Sequence, residues 1–273
     1  LRWYVFDVDF EMHGKDLIDS AKLSKAIVRL LGGDPPNTMF YELFLTEEGR
    51  KISKSSGIGI SMENWGRWGT QDSLNLLMFR NPRQQKRLSP ETVIQYTDET
   101  LTMSPEDPQY PFIYYHGDRP DLGGLRYSDI INLVNAISET NPDVLLEYLG
   151  RSFGHERIRA NEPFVRELLE KAIHYYEDFI LPTRRTPELT EAEWAMVEEF
   201  EQLIERTDDA EAIQTGVFDI ARAHGMPPKR FFQILYGVLL GSDSGPRIGG
   251  FVTLVGKERI RELIRAAREK ARS

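Results

Sequence analysis

Lys51-Ile52-Ser53-Lys54-Ser55, followed by Ser56-Gly57-Ile58-Gly59, sets two ammonium groups three residues apart among hydroxyls and glycines. Such a loop suits a polyphosphate. Each lysine is a compact charge on a flexible stem, and the serine hydroxyls and glycine-loosened backbone add hydrogen-bond donors for phosphate oxygens. By spacing alone, a solvated surface loop has the same look. The preceding residues supply the setting. Tyr41 to Arg50 read as an aromatic and aliphatic strand running into a turn, which delivers the lysines at a strand end. Open α/β sheets bind ligands there.

Upstream, residues 9–13 alternate weakly and end at Gly14, as a short strand does. Asp16 then opens a segment with apolar residues at 17, 18, 21, 26, 27, 30 and 31, the spacing of one helix face. Gly32-Gly33 stops it and Pro35-Pro36 bars its continuation. A second strand is expected at about 39–45. Strand, helix, strand and lysine loop make the second half of a nucleotide-binding α/β unit, with too few strands for a full sheet.

Downstream the pattern turns helical. Ser61 reads as a cap with Trp65 on the apolar side, Asp72 to Phe79 as a buried helix, and Ser89-Pro90-Glu91 as the start of another. A proline-rich connection from Pro105 to Pro120 follows. Beyond it, helices are expected at about 128–138, 142–150, 162–180, 190–205, 208–224, 227–240 and 256–271, with short breakers between them that suit antiparallel packing.

Composition bounds the rest. The chain has 273 residues, 40% of them hydrophobic, enough for one large domain or two to three smaller ones. Cysteine is absent, which removes disulfides and thiolate metal sites and leaves cytoplasm as the expected compartment. The five histidines have no metal-ligand spacing, so no metal site is expected. No apolar run approaches the ~20 residues that cross a bilayer, and no membrane association is expected. Net charge is −9 but uneven: residues 186–220 carry eleven acids and one arginine, while residues 246–273 carry eight basic and three acidic residues. Both runs read first as solvated helix faces.

The lysine loop is similar to the KMSKS loop of class I aminoacyl-tRNA synthetases. The stretch YELFLTEEGRKISKSSGIGIS over residues 41–61 resembles that of the class I lysyl-tRNA synthetases. The resemblance extends through Phe10-Glu11-Met12-His13-Gly14-Lys15-Asp16 and, near the C-terminus, through Ile234-Leu235-Tyr236 and Gly245 to Phe251. It implies a mostly α chain. Residues 1–58 would be the C-terminal end of a Rossmann-type α/β catalytic domain, 59–115 a helical stem-contact region, and 116–273 an all-helical anticodon-binding cage. It implies ATP with Mg2+, lysine and tRNA(Lys) as substrates and partner; a monomer is expected.

Lys54 is the expected catalytic cation, because adenylyl transfer depends on positive charge where negative charge builds up on the leaving pyrophosphate. Lys51 supports it, and Ser53 and Ser55 shape the ATP-binding loop. The resemblance carries a role against the adenylate ribose and the amino acid to Gly14 and Asp16; by sequence alone they are equally a turn and a cap. Leu17 stands where most of the family has histidine. Tyr41 and Glu42 suit a lysine side chain by cation–π and ionic contact, with a core-filling Tyr41 and a solvent-facing Glu42 as the alternative. His155 to Arg159 and Lys229-Arg230-Phe231-Phe232-Gln233 combine bases with aromatics or amides, as single-strand RNA readers do; helix core is the other reading of the phenylalanines. The turn at Arg247 and the basic helix after it are placed to reach phosphates.

Class I synthetases also need a HIGH-type segment, and none occurs in this sequence. The expectation is therefore the C-terminal portion of such an enzyme, inactive alone. Two other readings stay open: a non-catalytic RNA-binding helical module, and a class I synthetase for another amino acid such as glutamate.

Overall fold

The computed structural model describes residues 1–50, 52, 60–185 and 187–272. The N-terminal unit runs α1 (Arg2–Val5), β1 (Phe10–Gly14), a 3-10 turn (Lys15–Leu17), α2 (Ile18–Leu30) and β2 (Asn37–Tyr41). β1 and β2 pair in parallel, from Phe10 opposite Asn37 to Gly14 opposite Tyr41, with α2 as the crossover that parallel pairing requires. Trp3, Ala21 and Val28 form the small apolar cluster beneath α2.

One strand was expected over 39–45; the structure makes two. The chain breaks at Glu42, whose N–H turns to Pro82 O at 2.8 Å. Phe44–Thr46 (β3) then joins a different sheet, in parallel with β4 (Lys86–Leu88). The apolar character runs on through Leu45, so nothing in the pattern marks the break.

Between β3 and β4, α3 (Met62–Trp68) begins at Ser61, whose Oγ accepts from Asn64 N, and α4 (Gln71–Phe79) begins at Thr70, whose Oγ1 accepts from Ser73 N. These caps satisfy N–H groups the helix leaves open. α5 (Pro90–Thr102) starts at Ser89 with proline first, and the proline-rich connection contains a single turn, α6 (Tyr110–Ile113).

The rest is helical: α7 (Tyr127–Ile137), α8 (Pro142–Phe153), α9 (His155–Ala160), α10 (Glu162–Tyr175) with a π turn at Tyr176–Ile180, α11 (Glu191–Arg206), α12 (Ala210–Ala223), α13 (Pro228–Leu240), α14 (Ile248–Val255) and α15 (Lys257–Arg272). One apolar core runs through them, from Trp65 and Trp68 by way of Tyr127, Leu168 and Phe200 to Phe231 and Ile260. Each large side chain so buried stabilises by roughly 1.5–3 kcal/mol.

The periodicity placed no helix over α9 or α14. The first is short. The second contains Gly249 and Gly250, poor helix formers, and packing overrides propensity there: a Cβ on Gly249 would stand 1.8 Å from Ala210 O at the start of α12.

Candidate functional site

The parallel register brings Gly14 beside Tyr41 at the C-terminal ends of β1 and β2. A Cβ on Gly14 would lie 3.9 Å from the Tyr41 ring. Tyr41 is 40% exposed, so its ring is not core filling. The next residue of each strand end forms an ion pair, Lys15 Nζ to Glu42 Oε1 at 2.6 Å. The Lys15 side chain is 53% exposed, whereas that of Glu42 is only 10% exposed, against the alternative that it faces solvent. Its second oxygen, Oε2, is buried and has no hydrogen-bond partner. Asp16 stands in the 3-10 turn just behind, and Leu17 is exposed.

His13, one of the five histidines without metal-ligand spacing, is buried at this strand end, and its Nδ1 lies 3.0 Å from Gly14 O. It lines a cavity of about 230 Å³ with Trp3, Glu11, Leu17 and Ser20. The signal that points to it is the alternation of β1, which puts Glu11 and His13 on one face.

Lys51, Ser53, Lys54 and Ser55 lie outside the described residues. Their flanks are defined. After β3, Thr46 N donates to Arg50 O at 2.7 Å and Gly49 N to Thr46 O at 2.9 Å, with Gly49 in the left-handed region (φ +80°) that favours glycine. Ile52 N then donates to Phe44 O at 3.3 Å, so the chain doubles back along β3. On β4, opposite Phe44, the Lys86 ammonium donates to Leu77 O at 2.6 Å; burial, aided by the positive charge of Arg80, holds its pKa below the usual lysine value.

At the helical end, Lys229 is exposed, Arg230 pairs with Glu193 at 2.9 Å, and Arg247 pairs with Glu211 at 3.0 Å. Phe231 is core, as the second reading had it, and Phe232 packs edge-on to Phe218. The two charged runs, expected as solvated helix faces, keep much of that exposure and also pair with one another. Lys257 pairs with Asp208, Arg261 with Glu201 and Glu205, and Arg268 with Glu198, while the Arg268 guanidinium lies 5.5 Å from the Trp194 ring centre. Opposite charges some 60 residues apart give no local sequence signal. Arg157 of α9 likewise meets Asp121. A cavity of about 520 Å³ opens between α7 and the end of α13, lined by Asn132, Asn135, Arg185, Gly241 and Ser242. Asn135 is buried there; its Nδ2 donates to Leu240 O at 3.0 Å and its Oδ1 has no partner.

Among the described residues, no group of three or more His, Cys, Asp or Glu is placed to hold a metal ion, and no helix is long and apolar enough to cross a membrane.

Residues 1–107 match the family of tRNA synthetases class I (K), and residues 141–268 match the anticodon binding domain family. The lysine-tRNA ligases of Rickettsia bellii (strain OSU 85-389) and Rickettsia peacockii (strain Rustic) are each 34% identical over 280 residues, covering 97% of this chain and 53% of the relative. The chain thus spans about half the length of the curated relatives it matches. Among solved structures, a glutamate-tRNA synthetase from Elizabethkingia anophelis covers 98% of this chain and 58% of its own, at 15% identity and a TM-score of 0.36.

Proposed function

The chain belongs along residues 1–107 to the class I tRNA synthetases (K) and carries along residues 141–268 an anticodon-binding domain; from that membership we propose that it is the ATP-gripping and tRNA-recognising part of a lysine-tRNA ligase. In this reading residues 1–58 end the catalytic domain, 59–115 meet the tRNA stem and 116–273 hold the anticodon. The lysine carboxylate attacks the α-phosphorus of ATP, brought with its magnesium, and pyrophosphate leaves. A hydroxyl of the terminal ribose of tRNA(Lys) then attacks the lysyl carbonyl, forming the ester as the acyl–phosphate bond breaks and AMP leaves.

Lys54 and Lys51 stabilise the departing pyrophosphate, and Ser53 and Ser55 donate to its oxygens. A preorganised group aimed at developing charge contributes about 10²–10³ in rate. Gly14 and Asp16 lie along the ribose, and Tyr41 and Glu42 receive the lysine side chain. The basic turns at Lys229, Arg230 and Arg247 approach the RNA backbone.

The observation that carries the reading is the meeting of Gly14, the half-open Tyr41 ring and the buried Glu42 carboxylate at one parallel-strand end, in a chain that carries the two-lysine motif a few residues later in sequence. It also disfavours glutamate as the substrate, since a buried carboxylate repels a second one. β1 and β2 leave Phe10 and Met12 exposed.

Amino-acid-dependent ATP–pyrophosphate exchange by the complete polypeptide tests the proposal. Exchange with lysine alone supports it. Exchange with glutamate alone moves the assignment to another class I enzyme, and no exchange leaves an RNA-binding module.

A further inference from the structure

Glu42 presents an incomplete arrangement. One carboxylate oxygen is held by the Lys15 ammonium at 2.6 Å, and the other is buried with no donor. A carboxylate accepts through both oxygens, and an unpaired buried one costs free energy unless a missing group completes it. The surroundings narrow what that group is. Glu42 ends the strand that carries the open Tyr41 ring, and its backbone N–H is already spent on Pro82 O. The free oxygen therefore awaits a donor from outside the described fold, and a cationic one suits both the carboxylate and the neighbouring ring.

Lys15 fits a supporting part in this pair. It is the residue directly after Gly14, in the 3-10 turn that leaves β1, and its side chain is half exposed. Solvent therefore screens its charge from a second ammonium on the same carboxylate. Its ion pair holds the Glu42 carboxylate in place. It occupies Oε1 and leaves Oε2.

We propose that Lys15 is a positioning residue for substrate selection: its ammonium clamps one oxygen of Glu42 so that the other receives the side-chain ammonium of the amino-acid substrate. This rests on the lysine-activation reading above. The pair selects for an amine because a neutral or acidic side chain leaves Oε2 unpaired or repelled.

The test is steady-state pyrophosphate exchange on the complete polypeptide with Lys15→Met, Lys15→Arg and Glu42→Gln, titrating lysine and ATP separately. Lys15→Met is expected to raise KM for lysine about tenfold, with kcat changed less than about threefold and KM for ATP unmoved. Lys15→Arg recovers most of that loss, and Glu42→Gln raises the lysine KM further than Lys15→Met does. An unchanged lysine KM in Lys15→Met overturns the inference while leaving lysine activation intact. A rise in KM for ATP instead assigns Lys15 to the nucleotide and overturns it as well. Absence of lysine-dependent exchange in the parent overturns the activity reading and this inference with it.

Discussion

Gly249 and Gly150 both sit where a methyl group has no room, yet the two positions differ in what would have to move. At Gly249 the obstacle is the backbone carbonyl of Ala210, 1.8 Å from the added carbon. At Gly150 it is the His155 imidazole, on a side chain that is 57% exposed and free to swing outward. Gly249→Ala is therefore expected to destabilise the fold by about 2 kcal/mol or more, because overpacking against backbone is not relieved by a rotamer change. Gly150→Ala should stay within about 1 kcal/mol. Chemical denaturation of both variants checks this, and equal losses would mean that α14 does not press on α12 as described.

At the element scale, α3 is tied to the end of the α10 segment by one carboxylate. Asp178 accepts from Arg67 Nε at 2.7 Å and Nη2 at 3.2 Å, and from Trp68 Nε1 at 2.7 Å; the Trp68 ring meets Phe179 edge-on. The Arg67 hydrogen bond, opposed by burial and assisted by Trp68, holds the Asp178 carboxyl below its usual range. A depressed carboxylate pKa contributes stability that is complete above the unfolded value of about 3.9 and disappears as pH falls through the lower folded value. Asp178→Asn should thus lose stability at pH 7 and match the parent in strong acid. Urea unfolding at both pH values measures the convergence, and a difference that persists in acid would contradict it.

Much of this level was legible in the sequence. Ser61 and the Ser89-Pro90 pair announce helix starts through capping chemistry that acts within a few residues, and β1, α2 and β2 follow from local periodicity. The break at Glu42 and the helix α14 were not legible, because a carbonyl from residue 82 fixes the first and the contact with residue 210 fixes the second. The same holds at the candidate site. Gly14, Tyr41 and the lysine loop stand out as motifs, whereas the Lys15–Glu42 pair exists only through the register of two parallel strands.

At the scale of the whole molecule, the acidic run and the basic C-terminal helix neutralise one another along α11 and α15. With a net charge of −9, the tRNA binding proposed above requires cations presented locally rather than as a coat. Arg268→Glu is expected to lower the thermal midpoint at low salt, and the added change Glu198→Arg to restore part of it, with both effects shrinking in 1 M salt. Thermal scans at two ionic strengths check the coupling; strictly additive losses would contradict it. The proposed lysine activation depends on the two lysines that precede the helical body in the sequence, and pre-steady-state lysyl-adenylate formation by the complete polypeptide addresses them most directly. With Lys54→Ala, the rate is predicted to fall about 100-fold or more while the Kd for lysine stays within about twofold of the parent. Equal rates in variant and parent would contradict the account.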